Sequence, residues 1–190
     1  MPVRSRTQLI KILVIGLLLG SVSCQMPGPG TQQTLSQIAN YEVAVKDLPT
    51  GWKFTGQTWG QDYGGQSHVV GYGIDDKNQI IRLEHTISIY ADEDQAKNAY
   101  PKWEEEWFKG AWQKWPGADF VPSDPSDVYR FECQDPGFTE QPIISCNYLQ
   151  RHKRFISFVL VNFNDKSMTF LQLNAVLKAV DDRLNQIELK

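Results

Sequence analysis

From Ile81 to Ile89 the residues alternate without exception. Ile81, Leu83, His85, Ile87 and Ile89 take one side, and Arg82, Glu84, Thr86 and Ser88 the other. A strict period of two predicts an antiparallel strand with one face on a core and one toward water. Asp75-Asp76-Lys77-Asn78 precedes it as a turn-forming tetrad, and Ser67–Tyr72 supplies the partner of a β-hairpin. A further strand is expected from Trp52, where Leu48-Pro49-Thr50-Gly51 makes a turn. Later strands are expected near Val128–Cys133, Ile143–Arg151 and Phe155–Phe163. The last is apolar on both faces, which suits a central strand.

Two helices complete the pattern. Asp92, with Gln95 three residues on, starts one that Pro101 is expected to interrupt, a second stretch continuing through Trp115. Near the C-terminus Leu173, Val176, Leu177, Val180, Leu184 and Ile187 form a stripe, with Asn174, Lys178, Asp181, Asn185 and Glu188 opposite. The order is β-β-β-α and again β-β-β-α. It predicts an α+β fold, an antiparallel sheet with two segregated helices.

The first residues read differently. Arg4 and Arg6 precede a run from Ile10 to Leu19 that is apolar except for Lys11 and Gly16, and Gly20-Ser21-Val22-Ser23 leads to Cys24. A mostly apolar run of about 10 residues is too short to span a bilayer and fits an export signal. A cysteine at such an exit resembles the lipobox of bacterial lipoproteins, with Ser21 where that family usually has Leu. The resemblance implies cleavage before Cys24, lipidation of its thiol and anchoring at a membrane, on the extracytoplasmic face. Residues 1–23 are thus read as a signal peptide, 24–40 as a Pro/Gly/Gln tether and 41–190 as one domain.

After such cleavage 16 Lys and Arg face 22 Asp and Glu, a net charge of −6. That balance argues against nucleic-acid binding, which needs a basic footprint. Cys133 and Cys146 remain, and in an oxidising compartment the pair reads as a disulfide. A tether followed by Leu48-Pro49-Thr50-Gly51-Trp52 and closed by an apolar strand and amphipathic helix is similar to Mog1/PsbP-like domains. Extracellular sensor-type domains of bacterial lipoproteins and kinases look alike too. The resemblance implies a non-catalytic domain that binds a partner or a ligand.

Motifs for chemistry are thin. There is no G-x-S-x-G, S-x-x-K, Walker A or H-E-x-x-H, and the histidines lack metal-ligand spacing, so neither cofactor nor metal is expected. His85 points at the core, His68 lies in a Gly-rich strand and His152 at a hairpin tip, Arg151-His152-Lys153-Arg154. Trp103, Trp107, Trp112 and Trp115 fall on one side of a helical projection, with Lys102, Glu105, Glu106, Lys109 and Gln113 opposite. They pack as core or form an aromatic shelf for a small apolar ligand, a glycan or a protein partner, with Trp59 and Tyr63 as a second wall. Two other readings stand beside this one. One is a cell-envelope hydrolase using carboxylates such as Asp62, Glu84 or Glu104. The other is an accessory subunit of a membrane complex.

Overall fold

The computed structural model describes residues 38–74, 81–125, 127–135 and 142–186. Cys24, the signal, residues 25–37 of the tether, the Asp75–Asn78 turn and Ile187 lie outside these residues, whereas Ile38 at the end of the tether is described and buried. Six strands form one antiparallel sheet: β1 (Trp52–Asp62), β2 (Gly65–Ile74), β3 (Arg82–Ile89), β4 (Val128–Gln134), β5 (Ile144–His152) and β6 (Phe155–Phe163). Their spatial order is β1-β2-β3-β6-β5-β4. Each half is a three-stranded meander, and the halves join where β3 pairs β6 from Arg82↔Asn162 to Ile89↔Phe155. The expected α+β architecture is the observed one.

β6 sits inside the sheet because both its faces are apolar. Ile156, Phe158 and Leu160 enter one core, while Phe155, Val159, Val161 and Phe163 enter the other. Helix α1 (Glu93–Trp107) covers the first face with Ala96, Ala99, Tyr100 and Trp103. Its Asp92 N-cap accepts the Gln95 N–H at 2.8 Å, and Glu93 and Asp94 face the positive end of the helix dipole. Helix α2 (Phe170–Asn185) covers the opposite face with Leu173, Val176, Leu177, Val180 and Leu184, behind a Thr169/Gln172 capping box. Burying one such leucine stabilises the fold by roughly 1.5–3 kcal/mol.

Three details depart from the sequence reading. Pro101 does not interrupt α1: it lies exposed in the helix interior, where water can take the carbonyl its missing N–H leaves free. The helix instead ends at Trp107, and Gly110, at φ +109°, turns the chain toward β4, where Gln113 bridges Cys133. Asp181 was expected on the polar side of α2 and is buried.

The segment before β1 is part of the body. Ile38, Val43 and Leu48 enter the α2-side core, and Arg183 of α2 holds the Glu42 carbonyl and the Asp47 carboxylate, both at 2.6 Å. Trp52 is buried, its indole N–H donating to the Ser167 carbonyl at 3.1 Å. The Cys133–Cys146 disulfide forms across β4 and β5. Cys133 spends its own backbone groups on Gln113, so the cysteines face each other as a non-hydrogen-bonded pair, the register at which opposing side chains lie closest.

Candidate functional site

The aromatic residues that the sequence grouped are divided by the structure between the faces of the sheet. Trp103 is 3% exposed, donates from its indole to Tyr90 Oη at 3.1 Å and meets Tyr63 edge-on at 5.7 Å. Trp107 is half-buried on Phe158, and Trp112 packs against Phe108. Tyr63 hydrogen-bonds Glu106 from the β1–β2 turn, where Tyr63 at φ +50° and Gly64 at φ +91° make a tight reversal. Trp59 is 44% exposed on the α2 side of the sheet and stacks on the His68 ring at 3.6 Å. Trp115 also lies on the α2 side, beyond the turn at Gly110. Four tryptophans therefore do not share one helical face, because Trp112 and Trp115 are not helical.

Trp115 instead lines a cleft of about 500 Å³ along the outer strand β4. Trp115, Phe120, Tyr129 and Phe131 give aromatic surface, and Lys114, Asp119, Arg130 and Glu132 give charge. Tyr148 of β5 sits behind it as a hub, with Phe120 at 5.5 Å, Phe131 at 5.8 Å and Tyr129 at 6.5 Å from its ring. The cleft's other wall is the connection after Trp115, and it is held firmly. Gly117 sits close to α2, where an added Cβ would lie 3.1 Å from the Phe170 Cβ, tighter than an ordinary contact, and its φ of +88° favours glycine. Asn174 of α2 donates to the Gly117 carbonyl at 3.0 Å and to Asp119 at 2.6 Å. A concave, aromatic and rigidly walled surface with a few charged groups is the usual make-up of a small-ligand site.

Behind the cleft, a stripe of buried polar groups crosses the α2 side of the sheet. In β2, His68 pairs with Glu42 beneath Trp59. In β3, His85 Nδ1 accepts the Val43 N–H at 2.9 Å, so its proton is on Nε2 and donates to Ser157 Oγ at 2.9 Å. In β5, Tyr148 donates to Gln150 Oε1 at 2.8 Å, and Gln150 Nε2 reaches both Asp127 and Asp181. Asp181 also accepts the Ser123 N–H at 3.0 Å and its hydroxyl at 2.5 Å.

The electrostatics follow from burial. His85 is pushed down to about 3, first by desolvation and then by Arg183 and His68, so it is neutral at ordinary pH. Desolvation raises the Glu42 carboxyl, and contact with His68 only partly offsets it. The Tyr148 hydroxyl is held well above its ordinary range by burial, then by Asp181 and Asp127.

His85 occupies the core position its strand register dictates. His152, read as part of an exposed basic tip, is buried and bonds Asp127 through Nδ1 at 2.9 Å. Arg151 is buried too and reaches Glu93 at 3.5 Å, which leaves Lys153 and Arg154 at the tip. Asp62, Glu84 and Glu104 are dispersed. Glu84 pairs with Arg82 mid-sheet, Asp62 ends β1 at the hairpin, and Glu104 lies by Tyr100 and Arg130 over β4. The sequence reading missed the β4 cleft and the Gln150–Asp127–Asp181 network. The only available signal was the spacing of Asp119, Asp124 and Asp127 within a Pro/Ser-rich connection.

The fold, a six-stranded antiparallel sheet with separately packed helices, also occurs among solved structures. The extracellular domain of PknH from Mycobacterium tuberculosis matches with a TM-score of 0.57, over 80% of this chain and 96% of that one, at 7% sequence identity. At that identity the likeness is one of fold. No family model and no curated protein matches the sequence.

Proposed function

We propose that this protein is a non-catalytic binding domain, lipid-anchored through Cys24 outside the cytoplasm, whose β4 cleft takes a neutral oligosaccharide. The observation that carries the reading is the cleft itself, about 500 Å³ with Trp115, Phe120, Tyr129 and Phe131 on its walls. Aromatic faces stack on the apolar face of a sugar ring, while Asp119, Glu132, Lys114 and Arg130 can hydrogen-bond hydroxyls at the rim. Asp119 is held by Asn174 and Glu132 by Arg130, so both carboxylates are fixed in place to accept from hydroxyls. Support for the location comes from the signal-like residues before Cys24, the Cys133–Cys146 disulfide and the fold shared with a kinase's extracellular domain. No helix among the described residues is long and apolar enough to cross a membrane, so the lipid would hold the domain.

The function is tested by presenting the purified protein with an array of neutral and charged oligosaccharides. Saturable retention of neutral sugars is expected, and absence of binding to every sugar contradicts the reading. Intact-mass analysis of membrane-derived protein tests the anchor: a chain beginning at acylated Cys24 is expected, and an uncut, unlipidated one overturns it. A second reading, docking of a protein partner, is favoured by the exposed Phe54 and Trp59 of the edge strand β1. Copurification of a stoichiometric protein, abolished by Trp59→Ala, would select it.

A further inference from the structure

Beside the cleft, the connection and the end of β5 bring together three potential metal ligands. Asp124, Asp127 and His152 each present a ligand atom, and the three atoms lie within 4.8 Å of one another. We propose that they bind one divalent transition-metal ion, Zn2+ being the best match to two carboxylates and an imidazole. The proposal is independent of what occupies the cleft.

Three observations support it. The first is burial: the side chains of Asp127 and His152 are each 1% exposed. The second is charge. Asp127 and Asp181 are bridged by one neutral amide, Gln150 Nε2, and among the described residues neither carboxylate has a Lys or Arg as hydrogen-bond or ion-pair partner. Buried negative charge of this density calls for a cation. The third is spacing: His152 Nδ1 and Asp127 Oδ1 lie 2.9 Å apart, close enough for both to sit about 2 Å from one ion. A metal ion there takes the place of the proton between them, and the imidazole keeps its other proton on Nε2. Gln150 and Ser123 then form an outer shell, since they fix the Asp127 and Asp181 carboxylates.

The sequence reading expected no metal because these ligands have no motif spacing. They come from an irregular connection and from a strand end 25 residues further on.

The test uses full-length protein stripped with a chelator, dialysed and titrated with Zn2+ alone by calorimetry. One equivalent is expected to bind and to raise the unfolding temperature. Asp124→Asn, at a half-buried position, and His152→Gln should each weaken binding at least tenfold, whereas His68→Gln should leave it unchanged. If His152→Gln fails to fold, Asp124→Asn decides. Absence of saturable one-to-one binding, or an Asp124→Asn protein that binds like the parent, overturns the proposal.

Discussion

The half built from β1, β2, β3 and α1 and the half built from β4, β5, β6 and α2 follow one order of elements, yet their outer strands meet opposite fates. β1 is solvated along most of its length, with a bulge between Phe54 and Gly56, and it displays Phe54 and Trp59. β4 is fastened to β5 by the disulfide, bridged on its free side by Gln113, and overhung by the connection that carries Trp115 and Phe120. The difference lies in the chain between α1 and β4, which pairs with the strand at Gln113 and lines the cleft from Lys114 to Val121. An exposed strand edge can be blunted by bulges or covered by a loop, and the two halves use one remedy each. The covered edge carries the cleft.

Substitutions in the two helix cores probe the shared scaffold first. Trp103→Ala under α1 should cost about 3–5 kcal/mol and Leu177→Ala under α2 about 2–5 kcal/mol, measured by urea unfolding. If either costs less than 1 kcal/mol, that half does not depend on its helix and the equivalence of the halves breaks. The disulfide separates the edges next. Reduction, or a Cys133→Ser/Cys146→Ser pair, should remove roughly 3 kcal/mol for a closed loop of this length. It should also loosen the cleft, visible as faster amide exchange at Tyr129 and Phe131 and unchanged exchange in β2.

A further effect, smaller per pH unit than the disulfide's, is set by pH. Unfolded His85 takes a proton near 6.5 and the folded one only near 3, so the unfolded state binds more protons between those values. Stability should therefore fall as pH falls through that window, approaching about 1.4 kcal/mol per pH unit. Glu42, raised by burial, works in the opposite sense, so the informative quantity is the slope lost in His85→Gln. An unchanged slope in that variant would contradict the neutral, buried imidazole. The smallest expected effect is at the open edge: Trp59→Ala should cost about 1 kcal/mol, the loss of one stacked ring.

What could be read from the residues alone follows from how local the deciding physics is. The apolar side of Ile81–Ile89, the two-sided apolarity of Phe155–Phe163 and the Leu173–Leu184 stripe each state their own burial, and each was legible; the other side of Ile81–Ile89 was expected to face water, yet Thr86 and Ser88 are buried on the face that α1 covers. The cysteine pair was legible from compartment and count. The end of α1 was not, because continuing through Trp112 and Trp115 preserved a helical period, while Gly110 took a left-handed turn that the period does not register. His152 and Asp181 were misplaced for another reason. A polar residue next to charged neighbours looks solvated until distant partners, here Asp127, Gln150 and Ser123, are brought to it by the fold. The cleft was illegible as a whole, since its walls come from the chain around Trp115 and from β4, joined only by tertiary packing.

The claim that the covered edge binds sugar is tested most directly by following tryptophan emission of the full-length protein while it is titrated with a neutral N-acetylglucosamine hexamer. A saturable change is predicted for the parent and for Trp112→Phe, with binding at least tenfold weaker in Trp115→Ala. No saturable change in the parent, or equal affinity in Trp115→Ala, would contradict it.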